Sequence, residues 1–149
     1  VLNAATITIA ILNVLQGDAA LAAVLPDGAW FAEAPPGSTR FVIVQLISAS
    51  NVPMFGGVAF KDCVYLVEAR SLDSLGADVN TAYARIVDLF TDTPLVIDGY
   101  GTALIQFEED IEMVEVDDVD PSIRWSRCGG HLHVMIAAST EGAPKLSTP

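Results

Sequence analysis

The sequence predicts an α+β domain: an antiparallel sheet built from two long hairpins, with two main helices packed on one face. Three observations point there. Apolar residues recur at helical spacing in two separate places, at Ile7, Ile11 and Leu15 and again at Leu75, Val79, Ala82, Ile86 and Leu89. Four long stretches rich in Val, Ile, Leu and Phe come in consecutive pairs, 40–50 with 58–70 and 102–117 with 123–138. Two amphipathic helices also need one apolar surface to lie on, and two hairpins joined side by side supply it.

In chain order, Asn3 is placed to cap the first helix and Gly17 to stop it. Asp18 caps a short second turn carrying Leu21, Val24 and Leu25, which Pro26, Asp27 and Gly28 end with turn chemistry. A short strand at Trp30 and Phe31 follows, then a loop over 34–39 in which Pro35 and Pro36 supply no backbone donors. Arg40 to Ser50 is apolar on both alternating sets, which marks a central strand. Val58 to Arg70 is its hairpin partner across Asn51–Gly57. Met54 and Phe55 at that hairpin tip are apolar where loops are usually polar, so they fold back on the sheet or meet another chain.

Ser71 and Asp73 are competent caps for the second main helix, which Thr93 and Pro94 end. A weak strand at Leu95 to Ile97 and a turn at Asp98 and Gly99 lead into the third long strand. There the apolar set runs through odd positions, Ile105, Phe107, Ile111 and Met113, and then through even ones, Val114 and Val116. Such a change of phase requires a bulge or bend near Met113. In the last strand, Gly129 and Gly130 mark a second bulge or a close backbone approach.

The 149 residues form one domain over 1–138, followed by a flexible tail over 139–149 that has no periodic apolar signal. The hydrophobic share is 52%, above the ~45–50% usual for soluble domains, which points to an oligomer with apolar surface to cover. The net charge is −12, from 7 basic and 19 acidic residues. It excludes the ordinary nucleic-acid binder, whose affinity comes from Lys and Arg on phosphates. The N-terminal stretch lacks the basic flank of a signal peptide, and its apolar run is too short and broken to span a membrane.

Chemistry-bearing motifs are sparse. Cys63 and Cys128 have neither zinc nor redox spacing and read as buried thiols, with a disulfide between them left open. His131 and His133 alternate along a strand and share a face, but Cys128 has the opposite parity and no third ligand lies nearby. Glu108, Glu109, Asp110, Glu112, Glu115, Asp117, Asp118 and Asp120 crowd into one segment without an apolar pocket or the loop pattern of an EF-hand. They read as a solvated face, a field that keeps DNA from adhering, or loose divalent-ion ligands. No activated nucleophile or phosphate-cradling glycine loop is present. Neither a catalytic residue nor a cofactor is expected, and enzyme is the weaker class.

The layout resembles the tail-completion and tail-terminator family of long-tailed bacteriophages. The segment DAALAAVL from Asp18 is similar to that family's D-x-A-L-x-A-L step. Trp30 and Phe31 stand near a proline loop, FVIVQLIS from Phe41 resembles its P-Y-V-V-Y-Q-x-I-S strand, and VYLVEAR from Val64 resembles V-Q-V-D-V-W-A. The second main helix and the entry SIRW from Ser122 into the closing strand resemble the family's end, so the likeness runs from about Asn3 to Ala138. Arg40 and Phe41 replace the usual Pro-Tyr, and Met54 with Phe55 is more apolar than typical.

The resemblance implies a virion protein without enzymatic activity, made in the host cytoplasm and sited at the head–tail junction. It implies a homo-oligomeric ring, commonly a hexamer, that caps the tail tube and meets both the tail tube protein and the head connector or stopper protein. Six copies would carry about −72, so DNA would pass without specific binding. Met54, Phe55, Trp30 and Phe31 are then the expected contacts with neighbouring copies or the tail tube. Glu108, Glu109, Asp110, Glu112, Glu115 and Asp117 are the expected channel lining. Competing readings are a head-closure or neck connector, a small-molecule-binding α+β domain, and a hydrolase in which His131 and His133 converge with a carboxylate on a metal.

Overall fold

The computed structural model describes residues 2–53, 59–72, 76–92 and 94–138. Helix α1 (Ala4–Gln16) starts where the Asn3 side chain accepts from the Ala5 amide, and ends as Gly17 donates to the Asn13 carbonyl. Helix α2 (Ala19–Val24) is capped by Asp18, whose carboxylate accepts from Leu21. Strands β1 (Ala29–Phe31), β2 (Arg40–Pro53) and β3 (Ala59–Ser71) follow, then helix α3 (Ala77–Asp92) and strands β4 (Tyr100–Val116) and β5 (Arg124–Ala138). Met54, Phe55, the expected cap Asp73, the first apolar helix position Leu75, the helix-ending Thr93 and the tail 139–149 lie outside the described residues, and Ser71, the other expected cap, is the last residue of β3.

Both expected hairpins form, β2 with β3 and β4 with β5, and β3 joins them by pairing antiparallel with β5. The strand order is β1-β2-β3-β5-β4. The sheet is mixed rather than wholly antiparallel, because β1 runs parallel to β2 over Val42–Val44. Three residues of strand carry no alternation long enough to reveal direction. Leu95 to Ile97 is not a strand either: only an isolated bridge joins Ile97 to Tyr100.

One face of the sheet carries the core. Val42 and Val44 of β2, Cys63, Tyr65, Val67 and Ala69 of β3, and Leu132, Val134 and Ile136 of β5 are all buried there. Against them pack Ile7, Ile11 and Leu15 from α1 and Val79, Ala82 and Ile86 from α3, as the helical spacing expects, whereas at the end of α3 it is Phe90 that is fully buried and the expected Leu89 only partly so. The Tyr65 hydroxyl donates to the Ala4 carbonyl and lies 2.8 Å from the Thr8 hydroxyl, so its one buried polar group is satisfied. Phe107 meets Tyr83 and Phe90 edge-on at centroid distances of 5.5 and 6.1 Å.

The phase change in β4 is real but sits earlier than Met113. The register slips between Glu108 and Asp110, where Glu109 adopts a left-handed φ of 57°. Past that bulge the even positions face the helices, and the first two, Asp110 and Glu112, are carboxylates hydrogen-bonded to Tyr83 and Asn80 of α3. Gly129 and Gly130 cause no slip in β5, yet each permits a close approach. A Cβ on Gly129 would stand 2.3 Å from the Val67 carbonyl, and one on Gly130 would stand 2.4 Å from the Tyr83 hydroxyl. Cys63 pairs in register with Val134, six positions along β5 from Cys128, or about 20 Å at strand rise. The two thiols are buried and free, and no disulfide joins them.

Candidate functional site

The opposite face of the sheet has no helix over it among the described residues, and charged side chains gather there. Alternation places Glu68 and Arg70 of β3, Arg127, His131 and His133 of β5, and Glu108 and Glu115 of β4 on this side. Glu68 is wholly buried. Arg127 grips it with two hydrogen bonds, 2.8 Å to Oε1 and 3.0 Å to Oε2, while Arg70 donates to the same Oε1. Arg127 also reaches Glu115 at 3.0 Å, so the ladder crosses three strands. Gly129 stands directly opposite Glu68, where a Cβ would collide with the Val67 carbonyl and with the Glu68 Cα and Cβ. Arg70 and Arg127 are themselves register partners, and Glu68 offsets their mutual repulsion. In turn Glu68 holds the Arg127 guanidinium above its ordinary pKa.

Further along the same face, His133 lies between two carboxylates. Its Nδ1 is 2.9 Å from Glu108 and its Nε2 is 2.5 Å from Asp62. With an acceptor at each ring nitrogen, the imidazolium form satisfies both contacts, and the hydrogen bond to Glu108, aided by Asp62, raises the His133 pKa. Glu108 also accepts from Gln106 at 2.8 Å, which together with His133 lowers its own pKa. His131 stands 3.2 Å from Glu109. The two histidines share a face as their spacing requires, but each is occupied by carboxylates from β3 or β4. Among the described residues no group of three His, Cys, Asp or Glu is placed to hold a metal ion.

The six expected channel acids therefore do not form one stripe. Glu108, Glu109 and Glu115 lie on the open face beside His133, His131 and Arg127. Asp110 and Glu112 turn toward α3, and Asp117 accepts from the Val119 and Asp120 amides in the turn after β4. Trp30 and Phe31 are partly exposed on β1, with the Trp30 indole donating to the Asp27 carbonyl. Sequence reasoning missed the Glu68, Arg70 and Arg127 group. Its signal was three charges inside otherwise apolar strands, meaningful only once the register is known.

Near the β4–β5 turn a half-open hollow of about 450 Å³ is walled by Phe41 and Trp125, in edge-on contact, with Arg70, Glu115 and Asp118 at its rim. Exposed Met113, Val114, Val116, Val119 and Ile123 surround that end of the hairpin. Burial keeps both thiols protonated, Cys128 at about 11, so neither is a nucleophile at neutral pH. No helix among the described residues is long and apolar enough to cross a membrane.

No family model and no curated relative matches the sequence. A chain from the virion of the native gene transfer agent (GTA) particle is similar in structure, with a TM-score of 0.67 over 91% of this chain and 97% of that one. The fold is shared with a virion chain. At 19% identity the likeness is one of architecture, and it extends through nearly the full length of both molecules.

Proposed function

We propose that this chain is a structural virion protein that caps the phage tail tube as a ring of identical copies, six in the family it resembles, and joins it to the head connector. The observation that carries the reading is the fold likeness to a virion chain, which covers 91% of this molecule and 97% of that one. The motif layout from Asn3 to Ala138 supports the tail-capping position within that class. The charge supports the passage of DNA: each copy carries −12 with its histidines neutral, and the pairing of Glu115 with Arg127, or a proton held on His133 beside Glu108, leaves it strongly negative. A ring of such copies repels a duplex and lets it slide.

The test uses purified protein and isolated tails that lack their cap. Native mass measurement and particle imaging should show rings seated at tail ends. Rings that bind head connectors and ignore tails would move the protein to the neck-connector reading. A monomer that binds neither would overturn a virion role.

A further inference from the structure

We infer that neighbouring copies join edge to edge, the arm Gln45–Pro53 of β2 in one copy pairing with the β4 edge of the next, so that the sheet continues from copy to copy; this rests on the ring reading above. Two long edges lie open on opposite sides of the sheet. Among the described residues, and besides one bond from the Asp27 amide to the Arg40 carbonyl, strand β2 has an outer neighbouring strand only along Val42–Val44. Beyond that, Ala32 at a left-handed φ of 62° turns the chain away after one last bond from its amide to the Val44 carbonyl, 2.8 Å. At the other side, among the described residues, β4 pairs with β5 alone. Open edges of such length are templates for another strand. One edge of each kind per copy gives a head-to-tail contact, which a rotation closes into a ring.

Charge selects the pairing. Strand β4 carries Glu108, Glu109, Asp110, Glu112 and Glu115, so two β4 edges would set like charges opposite one another. The arm from Gln45 to Pro53 has no ionisable side chain and offers Gln45, Ser48, Ser50 and Asn51 as neutral polar neighbours. Its Ile47 and Val52 are exposed, as are Met113, Val114 and Val116 on β4, and pairing covers apolar surface on both sides.

The backbone parity fits. The Val42 amide donates outward to Gly28, so even residues face outward up to Leu46. The extra residue between Leu46 and Ser48 reverses the alternation, so the Ala49 and Asn51 amides point off the edge. Carried through β3 and β5, the same alternation turns the Ile105, Phe107, Asp110, Glu112 and Val114 amides outward on β4.

Hydrogen exchange on the wild-type protein, dilute and assembled alone or on isolated tails, tests this without a chosen register. Peptides covering 45–53 and 105–116 should both exchange about tenfold or more slowly in the assembly. Ala49→Pro removes one outward amide. It should keep the circular dichroism and melting of the dilute protein while abolishing rings, and Ala49→Gly should still assemble. Rings in which neither segment gains protection, in which 105–116 alone is protected, or which Ala49→Pro leaves intact overturn the edge pairing while the ring reading stands. Wild-type protein that never assembles overturns both. Should Ala49→Pro fail to fold, the wild-type exchange decides alone.

Discussion

The two faces of this sheet are stabilised by different physics. Under the helices, Val44, Tyr65, Val67, Leu132 and Val134 are buried by apolar layers from α1 and α3, with the Thr8 and Tyr65 hydroxyls hydrogen-bonded among them and the buried Ser71 hydroxyl left without a partner among the described residues. On the open face Glu68 and Ile43 are equally buried, yet among the described residues no second layer lies over them. Arginine stems and aromatic rings do the covering there, with Trp30 beside Ile43 across β1 and β2, and Phe41 against Trp125. The comparison teaches that burial has two sources here. Apolar packing on one side supplies bulk stability, whereas on the other a charge group spanning β3, β5 and β4 ties those strands to one register.

The sharpest way to break that contrast is Glu68→Ala, which leaves Arg70 and Arg127 facing each other without their shared acceptor. It should cost about 3–5 kcal/mol, read as a fall in urea midpoint. Replacing all three residues by apolar ones of similar volume should recover most of the loss. A cost under 1 kcal/mol for Glu68→Ala would show that the open face is held by its aromatics instead. Next in size is Gly130→Ala on the helix side, whose added methyl meets the Tyr83 hydroxyl and the Glu109 carbonyl. The expected loss is about 1–3 kcal/mol by overpacking, seen in thermal melting, and Tyr83→Phe should relieve it only in part because the Glu109 backbone remains.

The smallest effect is pH-dependent and belongs to the open face alone. His133 has a folded pKa above its ordinary value, so its contribution is complete below about pH 6.5 and fades as pH rises through the raised value. The difference in stability between wild type and His133→Gln should therefore be greatest in mild acid and shrink as the pH rises through the raised value. Denaturant titrations across that range check it, and a difference that grew with pH would reverse the assignment. Glu108 acts in a separate window: its lowered pKa gives stability that disappears only as the pH drops into the carboxylate range.

What was legible in the sequence followed from periodicity. Ile7, Ile11 and Leu15, and Val79, Ala82 and Ile86, repeat at helical spacing because one side of each helix must be apolar, and both hairpins declare themselves through consecutive long apolar stretches. The bulge at Glu109 was displaced to Met113 in the reading for a physical reason. The first helix-facing positions beyond it are Asp110 and Glu112, so the apolar pattern shows nothing until Val114. The parallel β1 was too short to show direction, and the Glu68 group depends on which residues of distant strands stand opposite. Of the residues expected at an interface, Trp30 and Phe31 are half-exposed beside the open β2 edge, whereas Met54 and Phe55 lie outside the described residues.

The union of β3 with β5 also bears on how the molecule reaches its shape. Each hairpin closes locally, but neither shields its greasy side by itself. The central ladder brings together positions as distant as Phe60 and Ala137, with the whole of α3 and β4 looped out between them. That search is entropically slow. The transition state is therefore expected to lie at the zipping of these two strands, and core truncations at Tyr65 or Leu132 should retard refolding more than equal losses at Ile7.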